Sequence, residues 1–252
     1  MDIVRNLVGR TALVTGGNRG IGAAISRRLA AQGADVALTF ATNKERAEAV
    51  AEEIARAGGG RALAVAADAT DPEAIRTAVD AVAREFGRID ILVNNAGYMD
   101  MSMPALEDTP LEVLDRTLDV NARGAFLTAQ AAARHMGEGG RIVNISSCLA
   151  SHVPGPGMTA YAMSKAAVRG LTLGLARDLG PRGITVNEVA PGSIDTDMNP
   201  ADGPSAEYQR SQNVFGRYGH ADEIAHTVAY LVSPEAAFVT GASVAVDGGS
   251  NL

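Results

Sequence analysis

"TGGNRGIG" (residues 15–22) stands between a short apolar, β-branched run, "TALVT" (11–15), and a helical stretch from Ile21 to Gln32. Glycines let a backbone turn tightly and come close to a bound group. The helix that follows offers free N–H groups and the positive end of its dipole to whatever lies in front of it. A glycine-rich turn between a first strand and a first helix therefore reads as a phosphate cradle. The glycine spacing is G-x-x-x-G-x-G, not the G-x-G-x-x-G of the common dinucleotide fingerprint.

Outward from that turn, strand-like and helix-like segments alternate. Strands are expected at 34–40 ("ADVALTF"), 61–67 ("RALAVAA"), the start of 89–97 ("IDILVNNAG"), 140–147 ("GRIVNISS"), 184–192 ("ITVNEVAPG") and 242–248 ("ASVAVDG"). Helices are expected over 44–57, from Asp71-Pro72 to Phe86, over 110–136 with a break near Asn121, from the "YAMSK" segment (161–165) to Leu179, and over 222–232. Asp71 fits an N-cap and Pro72 the first helical position. Such alternation predicts an α/β fold, a doubly wound parallel sheet with helices on both faces. No linker or repeat interrupts the chain, so residues 1–252 are expected to form a single domain, with the Pro/Gly/Asp/Ser-rich stretch 193–215 as a substrate lid. Ligands of such sheets bind beyond the carboxyl ends of the strands, and the unusual residues of this chain follow its strands.

Composition removes several classes. A net charge of −7 disfavours nucleic acid and anionic membranes as partners, and weakly disfavours a highly acidic protein. A hydrophobic content of 46% with 20% charged residues suits a soluble globular protein. No window approaches the ~18 apolar residues of a membrane span, and "MDIVRNLVGR" has no apolar run of signal-peptide length. The lone Cys148 rules out an intramolecular disulfide, and the two observations together point to the cytoplasm. His135, His152, His220 and His226 show no zinc-ligand spacing, so no metal is expected.

"TGGNRGIG", "NNAG" (94–97), Asn121, "NISS" (144–147), "YAMSK" and "APG" (190–192) occur in order. With this set the sequence resembles the short-chain dehydrogenase/reductase family, from Gly9 to the C-terminal "DGG". The resemblance implies a seven-stranded Rossmann-type sheet and a nicotinamide cofactor held by Gly16, Asn18, Arg19, Gly20, Ile21 and Gly22. An acid at the end of the second strand would favour NAD over NADP. Here that stretch reads "LTFATNKERA", with no acid before Glu45, and Arg19 suits a phosphate. In similar NADP-using members an Arg at this loop position and the residues matching Thr42 and Asn43 contact the 2′-phosphate. NADP(H) is therefore expected over NAD(H). By resemblance Asp68, with Ala69, meets the adenine. Asn94, Ala96 and Gly97 line the cleft, Asn94 also tying strands together. Pro191, Gly192 and Ile194 pack on or bond the nicotinamide, and Thr196 lies near the phosphates.

Tyr161 and Lys165, four residues apart, share a helix face. A phenol holds its proton to about pH 10, and a nearby ammonium lowers that value. Spacing alone leaves open a tuned phenol or a surface pair. The resemblance makes Tyr161 the general acid in ketone reduction and the base in alcohol oxidation, with Lys165 lowering its pKa and bonding the nicotinamide ribose. The family usually sets its catalytic serine thirteen residues before the tyrosine, which gives Cys148; Ser147 is fourteen back. Ser147 is chosen because a thiol donates poorly and the Pro/Gly-rich loop "CLASHVPGPGMTA" absorbs an inserted residue. Ser146 is then structural and Cys148 a small buried side chain. Asn121 matches the residue that fixes a water connecting the lysine to solvent.

Met99, His152, Val153, Met158, Met198 and Tyr208 are candidates to line a moderately apolar substrate cavity. The expected activity is NADP(H)-dependent interconversion of a small ketone and a secondary alcohol. Reduction of 3-oxoacyl groups on acyl carrier protein is the alternative, disfavoured by "MGEGG" (136–140), where reductases of that kind tend to be basic. A non-enzymatic nucleotide sensor is a third reading, at odds with the presence of Asn121, Ser147, Tyr161 and Lys165 together. "AFLTAQAAARHM" (125–136) and the helix from Tyr161 are apolar on more than one side. Such helices are buried on more than one side, so a homo-oligomer is expected, and the family suggests a tetramer.

Overall fold

Near-continuous apolar runs become strands covered on both faces. The computed structural model describes residues 3–252; Met1 and Asp2, at the head of the N-terminal stretch read above, lie outside the described residues. The strands are β1 (Thr11–Val14), β2 (Asp35–Phe40), β3 (Ala62–Ala66), β4 (Ile91–Asn94), β5 (Arg141–Ile145), β6 (Thr185–Pro191) and β7 (Ser243–Val246). They form one parallel seven-stranded sheet in the order β3-β2-β1-β4-β5-β6-β7. The helices are α1 (Gly20–Ala31), α2 (Lys44–Arg56), α3 (Pro72–Phe86), α4 (Leu111–Leu118), α5 (Gly124–Ala133), α6 (Thr159–Leu179), α7 (Ala206–Ser211) and α8 (Ala221–Val232).

Alternation along each strand splits the core in two. On one face Val14 and Leu38 pack with Ile25 and Leu29 of α1, Ile54 of α2, and Ile224 and Val228 of α8. On the other, Leu13, Leu92 and Ile142 pack with Val79 of α3, Ala129 and Ala132 of α5, and Leu179 of α6. Each of the larger side chains contributes about 1.5–3 kcal/mol by leaving water. Strand order reverses at β1, which pairs with β2 on one side and β4 on the other. The crevice beyond those two carboxyl ends is the place for a ligand.

Most expected elements appear with ends moved by a residue or two. Two differ in kind. The expected break near Asn121 is a π-helical turn, Asp119–Arg123, that joins α4 to α5 without interruption. Such a turn adds a residue to the helical ladder and is often found at functional sites. The Pro/Gly/Asp/Ser-rich stretch 193–215, in which no helix is expected, contains α7, anchored by the buried Ala206. Six residues are too few to show a helical period in sequence.

Candidate active site

A cavity of about 780 Å³ opens at the β1–β4 crevice. Its phosphate end is the turn before α1. Gly17 N–H donates to the Thr39 carbonyl at 3.0 Å, and Asn95 Nδ2 donates to the Thr15 and Gly16 carbonyls at 2.9 and 3.2 Å. Gly16 and Gly20 have φ of +62° and +49°, which favours glycine. A Cβ on Gly22 would lie 2.3 Å from the Gly16 carbonyl oxygen, so that approach needs a bare Cα. No side chain caps α1, and no acid stands in its first turn. By contrast, Asp71 Oδ1 accepts from Glu73 and Ala74 N–H at the start of α3. Arg19, Gly20, Ile21 and Gly22 line the cavity. An uncapped helix start behind a glycine cradle suits a phosphate, so the chain fits a dinucleotide here.

Around the rest of that half, Asn18, Thr42, Asp68, Ala69, Asn94, Ala96 and Gly97 line the cavity, as do Pro191, Gly192, Ile194 and Thr196. Asn43 does not. It adopts a left-handed φ of +59° and caps α2 through Oδ1, accepting from Arg46 N–H. Asp68 Oδ1 accepts from both Thr70 N–H and its hydroxyl at 2.9 Å. Asn94 Nδ2 donates to Asn144 Oδ1 at 2.9 Å across the β4–β5 pair and to the Ala125 carbonyl at 3.2 Å. Arg46 was missed in sequence. It pairs with Asp197, whose carboxyl Arg46 and Arg19 together hold below the usual range. The stretch "NKERA" shows a cation one turn beyond the Asn43 cap, but its partner lies 151 positions away.

At the reacting end, Tyr161, Lys165 and Ser147 line the cavity. Lys165 is 4% exposed; its Nζ donates to the Ile145 carbonyl at 3.0 Å and lies 5.7 Å from the Tyr161 ring centroid. The expected lowering of the Tyr161 pKa by Lys165 does not appear. Burial pushes the phenol up to about 12, with the Ser147 hydroxyl pulling it partly back. Burial also pushes the Lys165 ammonium down to about 8, against the pull of Glu188. At neutral pH the pair is thus a protonated phenol beside an ammonium. Ser147 starts a short turn in which its Oγ accepts from Leu149 N–H at 3.1 Å. Ser146 also lines the cavity, but its hydroxyl is engaged, donating to Glu188. Cys148 lines the cavity, its thiol pushed up to about 11 by burial, so it is neutral near pH 7.

Asn121 stands one layer behind. It is 2% exposed, and Tyr98 N–H donates to its Oδ1 at 2.7 Å while its Nδ2 donates to the Tyr98 carbonyl and the Ser164 hydroxyl, both at 2.9 Å. A Cβ on Gly97 would come 3.4 Å from Lys165 Nζ and 3.6 Å from Asn121 Oδ1, so glycine leaves those two groups their shared space.

Beyond Tyr161 the cavity is lined by Met99, His152, Met158, Met198 and Tyr208, joined by Met101 and Met103. Val153 instead faces solvent, 45% exposed. Tyr208 of α7 donates to the Pro154 carbonyl at 3.2 Å, tying the expected lid to the loop before α6. Among the described residues no group of three or more His, Cys, Asp or Glu could hold a metal, and no helix is long and apolar enough to cross a membrane.

A family model described as enoyl-(acyl carrier protein) reductase matches residues 16–251. The chain is similar to a short chain dehydrogenase from Burkholderia cenocepacia J2315 solved in complex with NADP, with a TM-score of 0.95 and 57% identity over 98% of this chain and 100% of that one. It is 46% identical over 240 residues to the cyclic-di-GMP-binding biofilm dispersal mediator protein of Escherichia coli K12, covering 95% of this chain and 96% of the relative. It is 40% identical over 244 residues to the 3-oxoacyl-[acyl-carrier-protein] reductase FabG of Staphylococcus aureus Mu50, covering 95% and 97%.

Proposed function

Because the chain belongs to the short-chain dehydrogenase/reductase family, an oxidoreductase family, we propose that it interconverts a small apolar ketone and its secondary alcohol with NADP(H). The observation that carries this reading is the convergence of Tyr161, Lys165 and Ser147 on one wall of a cavity whose other end is an uncapped, glycine-cradled helix start. The NADP in the Burkholderia cenocepacia structure supports the cofactor choice. So do Arg19 and Thr42, which line the same cavity, and the stretch after β2, where no acid comes before Glu45.

The dinucleotide, when bound, supplies or takes the hydride. The protein supplies everything else. Ser147 hydroxyl donates to the carbonyl oxygen and fixes its place. Tyr161 gives that oxygen its proton as the carbon is reduced, and takes it back in the reverse direction. A phenol held near 12 is protonated at neutral pH and can give that proton to the developing alkoxide, a stronger base, with the Lys165 ammonium 5.7 Å from its ring centroid. Asn121 braces the Tyr98 backbone against Ser164, one residue from Lys165. The methionine-rich wall excludes water and favours an apolar substituent on the ketone.

Two further parts belong to the proposal. Residues 1–252 act as one domain, with 193–215 as its lid. The chain assembles as a homo-oligomer, a tetramer by family likeness, through α5 and α6, where Phe126, Met163 and Leu173 are each close to half exposed. Reduction of 3-oxoacyl groups on acyl carrier protein is the second reading, favoured by the 40% identity to the Staphylococcus aureus reductase. The test is NADPH and NADH oxidation against small ketones, diketones and 3-oxoacyl thioesters. Turnover of a small ketone with NADPH is expected. Turnover confined to acyl thioesters supports the second reading, and tight NADPH binding with no turnover of any carbonyl overturns both.

A further inference from the structure

Glu188 is a carboxylate in the middle of β6, 1% exposed, in a strand that is otherwise mostly apolar. Burying a charge is costly unless it is paired. One oxygen, Oε1, accepts the Ser146 hydroxyl. The other, Oε2, makes no hydrogen bond and lies 3.7 Å from Arg169 Nη1, itself turned to the Gly241 carbonyl at 3.0 Å. Sheet register puts Glu188 opposite Asn144 on β5, so its side chain shares a face with those of Asn144 and Ser146. That face is covered by α6, where Asn144 donates to Thr172. Lys165 and Arg169 stand one turn apart on α6, and Lys165 reaches the same seam at the Ile145 carbonyl.

We propose that Glu188 is a positioning residue: it is the buried counter-charge that keeps Lys165 protonated and so sets the pH above which the site stops working. The proposal rests on the reductase reading for what Lys165 does, and on geometry for what Glu188 does. Glu188 does not line the cavity. The other titratable or charged groups near Lys165 cannot take its place. Tyr161 is neutral at working pH, as is Cys148 on the turn after β5. Arg169 is a like charge on the same helix. Asp247, after β7, acts on Cys148 and not on the ammonium. A neutral residue at 188 would leave a buried ammonium with one carbonyl and no carboxylate.

The chain makes the test simple because it has two lysines, Lys44 and Lys165. Protein labelled with 13C at lysine Cε gives two signals to titrate, and the exposed Lys44 is an internal reference. In the wild type the Lys165 midpoint is expected near 8. In Glu188→Gln, which keeps the shape and can still accept from Ser146, it should fall by about one pH unit. Lys44 should stay put, and the alkaline limb of kcat/KM should move down with Lys165. Arg169→Gln removes a competing cation and should move the Lys165 midpoint up, which covers the case in which Glu188→Gln does not fold. An unmoved Lys165 midpoint in Glu188→Gln overturns the proposal even if activity drops. So does a wild-type midpoint at about 5–6, where a buried lysine without a counter-charge titrates, or an unmoved midpoint in Arg169→Gln. The expected shifts in a protein that turns over no carbonyl would keep the counter-charge and sink the reductase reading instead.

Discussion

Adding one methyl group at Gly22 should disable the cofactor half of the cavity. The new Cβ in Gly22→Ala would sit 2.3 Å from the Gly16 carbonyl oxygen, 3.0 Å from its carbon and 2.5 Å from Asn95 Nδ2. Ordinary contact begins near 3.4 Å. Two of the three atoms are backbone, so no rotamer change relieves the clash. The third, Asn95 Nδ2, is engaged by the Thr15 and Gly16 carbonyls. Either the turn 15–19 moves off α1 or the first turn of α1 unwinds. Overpacking of this kind costs about 1–3 kcal/mol of stability, which lowers Tm by roughly 2–4 °C per kcal/mol in a chain of this size. Both escapes disturb the N–H groups facing the cavity, so NADPH affinity should fall at least tenfold, about 1.4 kcal/mol. Gly137→Ala is the control, because nothing lies within 4 Å of a Cβ there; it should change neither quantity. The assays are NADPH fluorescence titration and thermal unfolding. A Gly22→Ala protein that binds NADPH within twofold of wild type would refute the claim that this close approach shapes the phosphate site.

Tyr161→Phe should cut kcat by about 10²–10⁴-fold, the range for losing a positioned proton donor. Its NADPH dissociation constant should stay within a few fold, since Lys165 and the glycine turn are untouched; steady-state kinetics and titration check both. Arg19→Ala should weaken NADPH about tenfold, a modest charge-assisted contact at an exposed site. It should leave NADH unchanged, and equal losses for both cofactors would sink the 2′-phosphate assignment. Asn144→Ala removes one bond to Asn94 and one to Thr172, both 2.9 Å and fully buried, and leaves a buried Asn94 N–H unpaired. At ~1 kcal/mol per bond plus ~1 for the orphaned group, chemical denaturation should show a loss of about 3 kcal/mol. A loss below 1 kcal/mol would mean that the layer relaxes around the gap.

What the sequence made legible was what is local. The strands could be read because buried parallel strands are short unbroken apolar runs, and Asp71-Pro72 marked the start of α3 because cap and first-turn chemistry involves neighbours in the chain. Motif residues such as Gly16, Gly22 and Tyr161 could be named because turn and helix start are written in consecutive letters. Three features needed space. Lys165 lies four residues from Tyr161, which in sequence suggests a lowered phenol pKa; the fold half-buries the phenol and buries the ammonium, and desolvation sets the direction of both shifts. Glu188 reads as one polar letter in "TVNEVAP" until register puts it beside Ser146, a residue 42 positions away. Arg46 joins Asp197 across 151 positions, beyond the reach of any local pattern.

The polar residues buried under α6 explain why that helix is where it is. Leucines at Asn144, Ser146, Thr172 and Glu188 would fill the same space with no unpaired atoms and no desolvated charge. Apolar packing tolerates sliding, however, because one leucine contact much resembles the next. Here Asn144 reaches Thr172, Lys165 reaches the Ile145 carbonyl, and Asn121 reaches Ser164. A slip of α6 by one turn, about 5.4 Å, would break all three at once and leave buried donors without acceptors. The same slip would carry Tyr161 away from Ser147. The polar layer therefore fixes the register of the helix that presents the phenol, and in doing so it turns a costly set of buried polar groups into the alignment that proton transfer requires.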